Sequence, residues 1–182
     1  MTTALSLPFP APLVYLAGPD VFAPEPLARG LALKALCAQW GFEGLYPLDG
    51  EPAPQGPEQS LSIWRANCAL IDRADAVLAN LRPFRGAEPD SGTVWEVAYA
   101  HARGKPVVGY LPDARAQRDR LAVLAPGGVD SEGWAVEDFG LPLNLMIVHS
   151  LSGLVYGPED GYQGFQAALA CLAARLGRVN LL

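Results

Sequence analysis

Residues 74–111 read ADAVLANLRPFRGAEPDSGTVWEVAYAHARGKPVVGYL. An apolar run, Asp75–Leu81, stops at a loop carrying Pro83, Gly86 and Pro89; a mostly apolar helical stretch, Gly92–Arg103, follows and is ended by Gly104. Pro106–Leu111 is then apolar again. Short apolar runs bounded by turn residues read as buried strands, and a strand, a helix and a strand in that order are the repeating unit of a parallel sheet.

Outward from this unit the same alternation continues. Leu13–Ala17 reads as a strand ending at Gly18-Pro19, Pro26–Trp40 as a helix stopping at Gly41, and Phe42–Tyr46 as a strand closed by Pro47. Glu58–Ile71 is helical in spacing, Gly153–Tyr156 is a fifth strand, and the last helix runs from about Gly161 to Leu176. The expected fold is α/β: a single-domain, doubly wound, flavodoxin-like parallel five-stranded sheet with helices on both faces. Residues 1–12 read as an N-terminal tail and 13–182 as the domain. Asp113–Gly140, with Pro126-Gly127-Gly128 inside it, is the least regular part; it reads either as a surface excursion or as a lid over a site.

Composition excludes several functions. The net charge of −6 argues against a nucleic-acid partner, which needs clustered Lys and Arg. Cys37, Cys68 and Cys171 are unclustered and lie in apolar stretches, so they read as buried thiols in a reducing compartment. With only His101 and His149 besides, no zinc-ligand spacing can be assembled, and no metal site is expected. The opening MTTALSLPFPAP has no Lys or Arg and is broken by prolines, unlike a signal peptide, and no run approaches the ~20 apolar residues of a spanning helix. A cytoplasmic protein that engages no membrane is expected.

In an open parallel sheet, ligands bind where loops leave the carboxyl ends of the strands. Gly18-Pro19-Asp20 and the Arg82–Thr93 loop with Asp90 fall at that edge, and Glu96 lies about one turn into the following helix. Asp75 falls at the other end of its strand, so topology alone does not bring it to the site. Thr93-Val94-Trp95-Glu96 also fits a capping box, in which the glutamate merely reaches back to a backbone N–H. The alternative is a nucleophile: apolar neighbours enclose Glu96, and a helix N-terminus favours an ionised carboxylate. Asp90 could equally initiate a turn, Asp75 could open a strand, and Tyr15 could be core packing.

Four segments in order resemble the nucleoside 2-deoxyribosyltransferase family: Tyr15-Leu16-Ala17-Gly18-Pro19, Ala74–Leu81, Asp90-Ser91-Gly92-Thr93-Val94-Trp95-Glu96, and Gly140-Leu141-Pro142-Leu143-Asn144-Leu145-Met146. The resemblance implies cofactor-free transfer of 2-deoxyribose between nucleobases by double displacement, with 2′-deoxynucleosides and free purine or pyrimidine bases as substrates. It makes Glu96 the nucleophile, gives Asp75 the base and its proton, and gives Tyr15 the orientation of the nucleophile. Asp90 becomes a ligand of the sugar 5′-hydroxyl. Ala17, Gly18 and Gly92 line the substrate, and Val21 or Phe22 takes an aromatic position beside the base, where Phe22 is the aromatic side chain. Asn144 and Met146 match residues lent by a neighbouring subunit, which implies a homo-oligomer. A nucleobase leaves readily only when protonated, so paired carboxylates in different environments suit this chemistry, as they suit retaining glycosidases.

Three other readings compete. A hydrolase of deoxynucleoside 5′-monophosphates would need cationic or polar groups for the phosphate, where Asp90 instead places a carboxylate. A phosphoribohydrolase that activates cytokinins shares the Gly-Thr-x-x-Glu pattern, but its Pro-Gly-Gly directly precedes that pattern, whereas here Pro126-Gly127-Gly128 falls well after it. A non-catalytic nucleotide-binding module on the same fold would bind nucleosides without turnover.

Overall fold

The computed structural model describes residues 10–50, 55–121, 128–158 and 160–178. Five parallel strands form one sheet in the order β2-β1-β3-β4-β5. They are β1 (Leu13–Ala17), β2 (Glu43–Leu45), β3 (Ala76–Asn80), β4 (Val107–Leu111) and β5 (Gly153–Tyr156). The helices are α1 (Pro26–Gln39), α2 (Gln59–Arg73), α3 (Ser91–Ala102), the short α4 (Gln117–Arg120) and α5 (Leu145–Val148), and α6 (Gln163–Arg175). The doubly wound sheet read from the alternation is therefore present. Most of the tail, residues 1–9, lies outside the described residues.

Alternation along the strands explains why helices cover both faces. Val14 and Leu16 of β1, with Ala76 and Leu78 of β3, pack under Leu33 and Cys37 of α1 and Phe165, Leu169 and Leu172 of α6. Their neighbours Tyr15, Ala17, Val77 and Ala79 point the other way, against Ile71 of α2, Val97 and Ala100 of α3 and Ile147 of α5. Successive strand side chains face opposite sides of a sheet, so a strand that is apolar throughout needs a cover on each.

Several boundaries move. β2 is trimmed from Phe42–Tyr46 to its centre, and β3 loses Asp75 and Leu81. α6 begins only at Gln163, because Gly161 and Tyr162 both hold positive φ (63° and 60°), which a helix cannot include. Gly104 follows α3 at φ 71°, the left-handed conformation that stops a helix after its last carbonyls are reached. Of the thiols expected to be buried, only Cys37 is; Cys68 and Cys171 are partly exposed, and all three are free. No helix among the described residues is long and apolar enough to cross a membrane.

The Asp113–Gly140 excursion is described except at 122–127, so Pro126 and Gly127 lie outside the described residues. Its described parts are pinned rather than loose. Gln117 N donates to Leu141 O at 2.7 Å, Arg120 donates to the carbonyls of Ala87 and Pro142, and Val129 bridges Ala135. These contacts tie the excursion both to the loop before α3 and to the approach to α5.

Candidate active site

The strand order reverses at β1: the chain steps outward to β2, then returns to place β3 on the other side. At such a switch point the loops leaving adjacent strands diverge and open a crevice at their carboxyl ends. Here the two loops are Gly18–Ala23, which includes a 3-10 turn at Pro19–Phe22, and Arg82–Asp90, which delivers the start of α3.

The central contact joins two residues 81 apart in sequence: Tyr15 Oη donates to Glu96 Oε1 at 2.6 Å. β1 turns the fully buried Tyr15 toward the α2/α3 face, and α3 lowers Glu96 onto it. Burial raises the Glu96 carboxyl from 4.5 to about 7; the Tyr15 hydrogen bond pulls the other way, and the Asp90 charge adds to the rise. Burial, then the Glu96 charge and hydrogen bond, push the Tyr15 phenol far above its ordinary value, so it remains a donor. The capping-box reading of Glu96 is corrected here. The helix starts earlier than Thr93, and its cap is Asp90, whose Oδ2 accepts from Thr93 N at 2.9 Å and Thr93 Oγ1 at 3.0 Å. Glu96 is thereby a turn deeper than a capping glutamate and is bound to a strand tyrosine instead.

The other sequence-selected residues divide into near and far. Ala17 is buried at the end of β1, and Gly92 lies in the first turn of α3, where an added Cβ would sit 3.1 Å from Asp90 Oδ2. Gly18 follows Ala17; a Cβ there would lie 2.7 Å from both Asn80 Cβ and Asp20 Oδ2, so only glycine lets the two strand ends approach. Phe22 is 56% exposed and stacks on Phe84 from the second loop, centroids 5.4 Å apart. Val21 packs instead against the apolar cluster under α1 and α6. Asp75 is set apart from this group: its Oδ2 accepts from Leu13 N at 2.8 Å, at the amino edge of the sheet. Asn144 caps α5, its Oδ1 accepting from Met146 N at 2.9 Å and its Nδ2 donating to Glu137 at 2.8 Å. Met146 projects outward, 70% exposed.

Several residues near this group were given no role from the sequence, although Asp20 was placed at this edge with Gly18 and Pro19. Asn67 of α2 has a buried Oδ1 with no hydrogen-bond partner among the described residues. Its signal was available, since it lies four residues before the buried Ile71 on the same face of the helix. The adjacent Cys68 is close enough to feel Glu96; burial, then Asp72, then Glu96 push its thiol upward. Asp20 and Asn80 are buried polar residues at the ends of β1 and β3. A cavity of about 290 Å³ opens at this edge between Pro19, Asp20, Phe22, Arg29, Arg82 and Phe84. Among the described residues no group of three or more His, Cys, Asp or Glu is placed to hold a metal ion.

A parallel α/β sheet with a part-buried glutamate held by a buried strand tyrosine near its switch point defines a class of fold and site. Family membership makes it specific: the model of the nucleoside 2-deoxyribosyltransferase family matches residues 14–146, and the chain belongs to that family. It is similar to a 2-deoxyribosyltransferase from Leishmania mexicana, 30% identical, covering 87% of this chain and 97% of that one with a TM-score of 0.68. A Schizosaccharomyces pombe protein described only as uncharacterized is 34% identical over 93% of this chain and 92% of its own length. The fold is also that of a 2-deoxyribosyltransferase from Bacillus psychrosaccharolyticus, 21% identical, covering 78% of this chain and 84% of that one, with a TM-score of 0.51.

Proposed function

We propose that the protein transfers 2-deoxyribose between nucleobases through a covalent deoxyribosyl ester on Glu96. The observation that carries this reading is the Tyr15–Glu96 hydrogen bond. A nucleophilic carboxylate must be ionised, desolvated and aimed, and a buried phenol that stays protonated fixes one oxygen while leaving the other to attack. In the first step a Glu96 oxygen bonds to the anomeric carbon, the glycosidic bond breaks, and the base leaves with its electron pair and takes up a proton from solvent water. In the second step a nitrogen of the incoming base attacks the same carbon, releases Glu96 and sheds a proton. Two inversions restore the original anomer.

Asp90 receives the sugar 5′-hydroxyl in this reading, on a carboxylate already steadied by Thr93. With Asp75 bound to Leu13 at the far edge, the polar side chain that α2 offers toward a base is Asn67, whose buried carbonyl is open to an N–H donor. The assembly is a homo-oligomer in which Asn144 and Met146 serve the neighbouring site. The exposed apolar side of α2 and α3, where Trp64 lies beside Trp95, and the exposed Met146 on α5 support this.

The test is to incubate the protein with thymidine and adenine, and separately with thymidine alone, and to follow products by chromatography. Deoxyadenosine in the first tube is the expected result. Thymine released equally in both tubes, with no deoxyadenosine, would replace transfer by hydrolysis.

A further inference from the structure

We propose that Asp20 is a positioning residue that clamps together the two loops of the site and so sets how tightly nucleoside and base are held. This rests on the transferase reading for its substrates, though not for its geometry. Asp20 is 6% exposed, and a carboxylate that deep is tolerated only when its oxygens are bonded. Oδ1 takes the Arg29 guanidinium of α1, and Oδ2 takes Asn80 Nδ2 at 3.0 Å. Asn80, itself buried at the end of β3, uses its Oδ1 to accept from Arg82 N at 3.3 Å. One chain of hydrogen bonds thus runs from α1 through the ends of β1 and β3 into the loop that leads to Asp90.

The surroundings are shaped to this contact. Gly18 must lack a side chain for Asp20 and Asn80 to meet. Farther out, the Phe22–Phe84 stack joins the same two loops again, with the Arg85 guanidinium 5.2 Å and 4.7 Å from the two ring centres. The 290 Å³ cavity is lined by Asp20 and Arg29 of the clamp and by Phe22 and Phe84 of the stack, beside rather than over the Tyr15–Glu96 pair, which does not line it. Tyr15 faces α2 and α3, whereas the clamp reaches toward α1. Removing it should therefore change binding while leaving the ionisation of Glu96 alone. A purely structural role would act otherwise: a partly misfolded sample loses active molecules, which lowers kcat and leaves KM unchanged.

Asp20→Ala and the charge-free pair Asp20→Asn/Arg29→Gln separate these roles. The expected result for Asp20→Ala is a KM for deoxynucleoside raised about tenfold or more, because small misplacements of bound groups are costly. The midpoint of the acid limb of kcat should not move, and the double variant, which keeps amides at both positions, should recover most of the KM. Hydrogen exchange should quicken in both 18–23 and 82–85, a readout that needs no turnover. A folded Asp20→Ala protein with a KM within about twofold of the parent overturns the proposal, as does faster exchange confined to 18–23. Should Asp20→Ala not fold, Asn80→Ala, which leaves the Asp20–Arg29 pair in place, is read the same way. A parent protein with neither transfer nor hydrolysis sinks the catalytic reading instead, and the exchange data then decide the clamp alone.

Discussion

Glu96 is where burial and chemistry pull in opposite directions. Its carboxyl is raised to about 7 by burial, yet the reaction needs it ionised, so activity should rise with pH on an acid limb near 7. Tyr15 lowers that value by bonding the charged form, and Tyr15→Phe should move the limb upward by roughly one unit, as expected for a lost hydrogen bond to a charge. A pH–kcat profile checks this, and an unmoved limb would mean Tyr15 does not tune the nucleophile. Glu96→Gln should cut exchange by about 10³ or more while the protein still folds. The sign of its stability effect follows from the raised value: the folded state holds the proton more tightly than the unfolded chain. That contribution is fully present below 4.5 and is lost as pH rises through about 7. Glu96→Gln should therefore match the parent in denaturant melts at pH 4 and exceed it by about 3 kcal/mol at pH 8. Local pattern enclosed Glu96 among apolar neighbours and left it either a cap or a nucleophile, without showing what holds it. A contact between a strand and a helix 81 residues later leaves no local period, and only the resemblance pointed to it.

At the scale of elements, the sequence was read well where apolar runs were long and poorly where a few hydrogen bonds decide. β1 and β5 were placed at their observed limits because Gly18 and Gly157 bound uniformly apolar runs. The short α4 and α5 are absent from the alternation read in the sequence; four-residue helices have no periodicity to read. Asp90 shows how one side chain can serve both an element and a site. It caps α3 through Thr93, so Asp90→Ala should cost about 1 kcal/mol in a denaturant melt, whereas Asp90→Asn should stay within a few tenths. The same Asn variant removes the charge that would repel a phosphate. The ratio of KM values for a deoxynucleoside 5′-monophosphate and its nucleoside should therefore fall in Asp90→Asn. If the parent already prefers the monophosphate, Asp90 does not receive a 5′-hydroxyl.

For the whole molecule, strands covered on both faces dictated the doubly wound sheet, and that much could be read from composition along the chain. What covers the outer side of the helices could not. In α2 only Ile71 is buried, while Ile63 and Trp64 are about half exposed, and Trp64 lies 6.0 Å from Trp95, which is stacked on Tyr99. Contiguous exposed apolar groups of this kind mark an interaction surface. A second copy of the chain is the occupant that the shared-site reading requires. Trp64→Arg should then lower the mass measured by light scattering and reduce exchange together, with the circular dichroism spectrum unchanged. The sharper test is complementation between Glu96→Ala and Asn144→Ala, each inactive alone. If each site takes Glu96 from one chain and Asn144 from its neighbour, a mixed dimer contains one site with both parent residues and one with neither. Equal co-expression with random pairing should restore about a quarter of the sites, because a symmetric pair exchanges the same two positions. Simple mixing of the purified variants would recover less if subunits exchange slowly, so the mixed species should be isolated by differential tags. An isolated mixed dimer without exchange activity would show that each chain builds its site alone. Asn144 would then act only as the cap of α5 that its bonds to Met146 and Glu137 already make it.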